Sequence, residues 1–150
     1  MRSVALMTSI LAICMLGVSV SHAGDKSGVL KASHLIGMKV KGTDNKQLGT
    51  IKDLVIDPDG GLIVYAVLDF GGFAGIGDKY FAVPWDALEL TGDQKLLVLD
   101  VSKRDLKDAP GFDKNHWPDF TDRQQTNSIY EYYGIPTPEE ENLNQKGQKR

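Results

Sequence analysis

Cysteine is nearly absent from this chain: Cys14 is the only one in 150 residues, and it lies inside an apolar N-terminal run. Removal of that run as a leader leaves no thiol. Disulfides, a cysteine nucleophile and sulfur ligation of a metal are then excluded. Histidine is almost as scarce. His34 and His116 are the only two after residue 23, and without a third ligand in sequence reach they do not spell a zinc centre. No serine sits in a nucleophile elbow, and no Ser, His, Asp set is recognisable. Positive charge is not concentrated either. The formal net charge is -3, and Lys39, Lys41, Lys103, Arg104 and Lys107 are interleaved with acids or turn residues, so they read as solvated faces. No internal repeat is present. These gaps point away from an enzyme, a bound cofactor or metal, and a nucleic-acid partner.

The N-terminus carries a compartment signal. Met1 and Arg2 make a short positive start, residues 4–20 are almost wholly apolar or small, and Ser21, His22 and Ala23 put small residues at the two positions a signal peptidase reads. Cleavage after Ala23 is expected, giving a periplasmic or secreted protein. The run is at the short limit for a membrane span and contains Thr8, Ser9, Gly17 and Ser19. An uncleaved leader serving as an inner-membrane anchor is the alternative. Ile13 occupies the position where lipoprotein processing needs a small residue before Cys14, so a lipid anchor is not expected.

What is abundant is β-type sequence punctuated by turns. Residues 51–57 and 62–70 are two strongly β-type segments joined by Asp57, Pro58, Asp59, Gly60 and Gly61, a hairpin in which Pro58 presets φ and the glycines accept positive φ. Ile51 has the opposite parity from Leu54 and Ile56, which predicts a bulge near Lys52 and Asp53. Residues 62–68 are apolar on both parities. A strand of that kind is buried on both faces and needs a cover from outside the sheet. Further strands are expected at 38–41, 80–83 and 96–101. Ser33 is placed to cap a helical turn ending at Gly37, residues 85–88 to start a turn, and Ser102 to cap a short helix through Lys107. The fold class is therefore mainly β, a small curled antiparallel sheet or barrel. Beyond residue 110 stand Phe112, Trp117, Phe120, Tyr130, Tyr132 and Tyr133, too many rings for a disordered tail. They predict a loop and a helix at about 127–133 folded over the outer face of residues 62–68. The organisation is a leader at 1–23, a flexible entry at 24–28, a β domain at 29–101, short helices and an aromatic segment at 102–135, and a polar disordered tail at 136–150.

Residues of about 29–101 resemble the PRC-barrel domain, the small β-barrel shared by the photosynthetic reaction centre H subunit and the bacterial ribosome maturation factor. The likeness rests on Leu30, Ala32, Ser33, Leu35, Ile36 and Gly37; on Leu48, Gly49, Ile51, Leu54 and Ile56; on Tyr65, Ala66, Val67 and Leu68; and on Lys79, Tyr80, Ala82, Val83, Pro84 and Trp85. The string 70–85 is also similar to stand-alone, exported bacterial members. The resemblance implies a curled barrel that docks onto other macromolecules and has no catalytic set to transfer. A cleavable leader departs from the membrane anchor of the H subunit, and no RNA-binding domain accompanies the barrel, so neither photosynthesis nor ribosome assembly is carried over.

The candidate site follows from these readings. Gly71, Gly72, Gly75 and Gly77 leave Phe73 and Ile76 as apolar tips, which with Tyr80 form the candidate contact for a protein partner or a second copy, or for a membrane surface. A phosphate cradle is disfavoured because this loop leads into a strand and not into a helix. Asp57 and Asp59 lack the further oxygens of a calcium loop and read as turn residues. The alternative function is a small-ligand barrel or weak hydrolase with Asp53, Asp69 or His116 in a pocket. Tyr130, Tyr132 and Tyr133 as a stacking platform are set against their use as core cover.

Overall fold

The computed structural model describes residues 28–71 and 79–141. Its central hairpin forms as the turn residues require. Strand β2 (Gln47–Asp57) pairs antiparallel with β3 (Leu62–Asp69), Asp57 lying opposite Leu62. The Asp57 carboxylate accepts the Asp59 amide at 3.0 Å, the Gly61 amide donates to the Asp57 carbonyl at 2.8 Å, and Gly61 takes φ +66°. Turn chemistry thus accounts for both aspartates. Ile51 faces Leu68 while Asp53 faces Val67, leaving Lys52 as the extra residue of the expected bulge. A second irregularity follows between Val55 and Ile56. Both add twist to a strand that has to bend.

A helical turn α1 (Ala32–Leu35) precedes β1 (Lys39–Lys41), and β4 (Lys79–Pro84) is followed by a 3-10 turn at Trp85–Ala87. Then come β5 (Leu88–Leu90), β6 (Leu96–Leu99), a second 3-10 turn at Asp105–Asp108, β7 (Gly111–Asp113) and helix α2 (Arg123–Tyr133). The strands form one sheet in the order β5-β6-β1-β2-β3-β4-β7. It is curled but not closed into a barrel, and β1 runs parallel to β6, so the pairing is not antiparallel throughout. The inner face buries Leu35, Val40, Leu48, Ile51, Leu68, Phe81, Val83, Leu97 and Leu106 in one cluster.

The outer face of β3 and β4 is covered as their apolar composition demands. Tyr65 and Ala82 pack against Ile129 and Tyr130 of α2, with Phe112 and Phe120 alongside. Burial of Ile129 and Tyr130 stabilises this contact by about 1.5–3 kcal/mol each. The helix starts at Arg123 and not at 127, because Asp122 caps it by accepting the Gln124 amide at 2.9 Å. Gly134, at φ +66°, closes it with its amide on the carbonyls of Tyr130 and Glu131.

Several local expectations differ from the structure. Lys31 occupies the N-cap of α1 without a side-chain bond, and Ser33 lies inside the turn. Ser102 does accept the Asp105 amide, at 3.2 Å, but the following turn is 3-10. Strands β5 and β7, three residues each, were not expected, since they borrow their order from β6 and β4. The region assigned to a disordered tail begins with a helical turn at 138–141, where Thr137 and Glu140 form a capping box and Glu139 reaches Arg123 at 2.7 Å.

A Cβ on Gly49 would lie 2.1 Å from the Asp69 carbonyl oxygen, so Gly49→Ala must push β2 off β3. The expected loss is about 1–3 kcal/mol in urea unfolding. Burial raises the Tyr65, Tyr130 and Tyr133 hydroxyls above their ordinary value of 10. Their folded form prefers the proton, so stability is fully present below about pH 10 and falls as pH rises through the higher folded values, by up to about 1.4 kcal/mol per pH unit for each ring. The Tyr133 hydroxyl is buried with no hydrogen-bond partner. Tyr133→Phe should therefore raise stability at neutral pH by about 1 kcal/mol and flatten the alkaline fall, both read from urea midpoints.

Candidate functional site

Phe112, Trp117, Phe120 and Tyr130 of the C-terminal segment form a connected set with Tyr65 and Tyr80 on the outer face of the sheet. Tyr130 meets Tyr65 at 5.8 Å between ring centres, Tyr65 meets Phe120 at 5.4 Å, and Phe120 meets Phe112 at 6.1 Å and Trp117 at 6.3 Å. Tyr80 closes the set against Phe112 at 6.0 Å and Trp117 at 6.1 Å. Apart from the tilted Tyr65–Phe120 pair, these contacts are edge-to-face, the arrangement ring quadrupoles favour. Trp117 is the outermost member, 44% exposed, held by its Nε1 donating to the Lys114 carbonyl at 3.1 Å.

This set stands at the two chain ends that border residues 72–78. Lys79 pairs with Asp113 of β7, so the segment re-enters the sheet beside the aromatic rings. On the other side the Asp69 carboxylate accepts the Gly71 amide at 3.0 Å and lies 3.7 Å from Lys114 Nζ. That ammonium also sits 5.1 Å from the centre of the Tyr80 ring. One carboxylate, one lysine and one buried ring thus fix the base of the glycine-rich segment.

The expected contact residues fare differently. Phe73 and Ile76 lie outside the described residues, as do the leader, Cys14 and residues 142–150. Tyr80 is only 6% exposed and is a packing residue beneath Trp117, because its strand position turns it toward the outer cluster; it is not an open contact. Trp117 is the exposed ring that sequence reasoning treated only as cover. Its separation from any periodic element hid it.

The carboxylates of the alternative reading do not converge. Asp53 accepts the Leu54 amide at 2.8 Å, Asp69 is engaged as described, and His116 is an exposed side chain 3.5 Å from Asp113. The Asp113 carboxyl lies below its ordinary value, chiefly through the Asn115 amide, with His116 adding to the effect. Among the described residues no group of three His, Cys, Asp or Glu could hold a metal ion. Tyr132 donates to the Asp105 carbonyl at 2.6 Å and Tyr130 is buried, so these tyrosines are committed to the fold and do not form a free platform.

A polar groove of about 710 Å³ lies elsewhere, between the turn after β1 and the segment after β6. Asp44 and Lys46 form one wall, and Ser102, Lys103, Arg104, Asp105 and Lys107 the other. Partial desolvation opposes ionisation of Asp44, yet the bonds and charge from Lys46 outweigh it and hold the carboxyl below its usual value. Sequence reasoning read Lys103, Arg104 and Lys107 as a solvated face. It could not see that the sheet brings Lys46 opposite them.

Comparison with known proteins yields a family and likenesses among solved structures. No curated protein matches the chain significantly. Among solved structures, the 16S ribosomal RNA processing protein RimM of Pseudomonas aeruginosa is similar at 19% identity, covering 53% of this chain and 49% of its own, with a TM-score of 0.37. The match thus spans about half the length of that protein. The PRC-barrel domain matches residues 27–106, more than half of the sequence and all of the strands from β1 to β6. The chain belongs to the PRC-barrel domain family.

Proposed function

We infer that this protein is an exported, non-catalytic β module of the bacterial envelope that docks a protein partner or a second copy of itself. The observation that carries the reading is Trp117, an exposed ring braced by a continuous aromatic set at the base of the segment containing Phe73 and Ile76. Exposed tryptophan on a rigid support is the composition of an interaction hot spot. The scattered placement of Asp53, Asp69 and His116 gives the pocket-enzyme reading no support. The apolar leader ending at Ala23 is the basis for export.

Site-specific crosslinking in an envelope fraction tests the docking. The wild-type protein should give a discrete crosslinked product, either a homodimer or a complex with one other protein. Phe73→Ser with Ile76→Ser, and separately Trp117→Ala, should abolish that product while leaving the thermal transition within a few degrees of wild type. A product that survives all three substitutions would move the interface elsewhere and remove the basis of the reading. Export predicts that intact-mass measurement of the periplasmic protein shows a chain beginning at Gly24. A mass retaining residues 1–23 would replace export by anchoring.

A further inference from the structure

Asp59 followed by Gly60 is the one Asp-Gly pair in the sequence, and no Asn-Gly pair occurs. Both residues are exposed at the tip of the hairpin between β2 and β3, past the last paired residues Asp57 and Leu62. The turn is fastened on either side of this peptide bond and not at it. The Asp59 amide donates to Asp57 Oδ1 at 3.0 Å and the Gly61 amide to the Asp57 carbonyl at 2.8 Å, while the Gly60 amide donates to no group among the described residues. The Asp59 carboxylate likewise makes no hydrogen bond or ion pair among them. Other aspartates are held differently: Asp53, Asp69 and Asp113 each accept a backbone amide, and Asp57 precedes Pro58, whose nitrogen carries no hydrogen. Gly60 brings no Cβ to screen its own nitrogen. The left-handed conformation in this turn falls to Gly61, and glycine at 60 answers instead to the Asp57 carboxylate, whose Oδ2 would lie 2.7 Å from a Cβ there.

We propose that this peptide bond is a site of spontaneous covalent modification, at which Asp59 isomerises to isoaspartate in the folded protein. The Gly60 nitrogen bonds to Cγ of the Asp59 side chain in its acid form, and one carboxyl oxygen leaves as water with the amide hydrogen and the carboxyl hydrogen. A five-membered succinimide results. Water then opens the ring: cleavage of the bond from nitrogen to Cγ returns aspartate, and cleavage of the bond from nitrogen to the Asp59 carbonyl carbon leaves the chain running through Cγ. Nothing is oxidised, and water is the only co-reactant. The product keeps its carboxylate and its mass, but its backbone is longer by one methylene. The added atom displaces the Gly61 amide from the Asp57 carbonyl, so the hairpin frays from its tip, where Ile56 and Leu62 are already exposed. The chemistry is independent of docking at Trp117.

The test is incubation of the folded protein for weeks in neutral buffer, followed by peptide mapping with an aspartate-specific endoprotease and electron-transfer fragmentation. A second peptide of unchanged mass, uncut at residue 59 and carrying the isoaspartyl fragmentation signature there, should grow steadily. Asp59→Glu keeps the charge at this exposed position but requires a six-membered ring, and it should abolish the growth. Asp59→Asn, whose side chain loses ammonia more readily than a carboxyl loses water, should speed isomerisation several-fold, and Gly60→Ala should slow it several-fold. In the isomerised fraction, hydrogen exchange at the Gly61 amide should be faster than in the unmodified protein. No growth at residue 59 while the urea-unfolded chain isomerises, or equal growth in Asp59→Glu, overturns the proposal.

Discussion

Three residues, Trp85–Ala87, have to carry the chain from β4 to β5, and the shape of the molecule depends on that short link. From Pro84 to Leu88 the backbone can span at most about 14 Å. In a flat sheet of the observed order, β4 and β5 would be five strand spacings apart, about 24 Å. The sheet must therefore curl until its two ends approach. The bulges in β2 supply the bend, Gly49 allows β2 to lie against the Asp69 carbonyl, and the 3-10 turn closes the remaining distance. A sheet curled this tightly encloses a core of Leu, Ile, Val and Phe, with no polar or charged residue buried among the described residues.

The curl also decides what the C-terminal segment is for. It turns one face of β3 and β4 inward and leaves the other, with Tyr65 and Ala82, facing water unless something packs on it. Helix α2 and the rings of 112–120 do so, and in doing so they place Trp117 at the edge of the sheet near the ends of the glycine-rich segment. The cover and the exposed Trp117 ring come from the same segment. Lys114 shows the coupling: it holds Asp69 on one side and stands over Tyr80 on the other, joining the loop base to the cover.

Much of this fold was legible because its signals were local. The Asp57 to Gly61 turn, the parity break at Ile51 and the two-sided apolar run of β3 each point to one structure, and each is found. The position of the cover followed from an energetic demand, since a strand buried on both faces cannot be left bare. What was not legible depends on distance. The parallel β1 and β6 pairing, the short strands β5 and β7, and the groove lined by both Lys46 and Arg104 all arise from where the curl brings separate segments, and no local pattern encodes them. Tyr80 shows the same dependence: it borders the glycine-rich segment, yet alternation along β4 turns it into the outer cluster.

The two ends of the open sheet bear on how such a module can interact. An unpaired strand edge is a template for a further strand. Here the edges are β5 and β7, three residues each, one carrying exposed Glu89 and the other Asp113 and a Gly111 that presses against the Phe81 ring. Three residues provide too few ladder bonds to hold a partner strand, and the charges disfavour stacking of like edges. Recognition through added strands is thus suppressed on both sides of the curl, and side chains on the rim are left as the means of contact. Trp117 stands on a support that the outer aromatic cluster has already made rigid. A side chain held in this way needs little ordering, which lowers the cost of any contact made there.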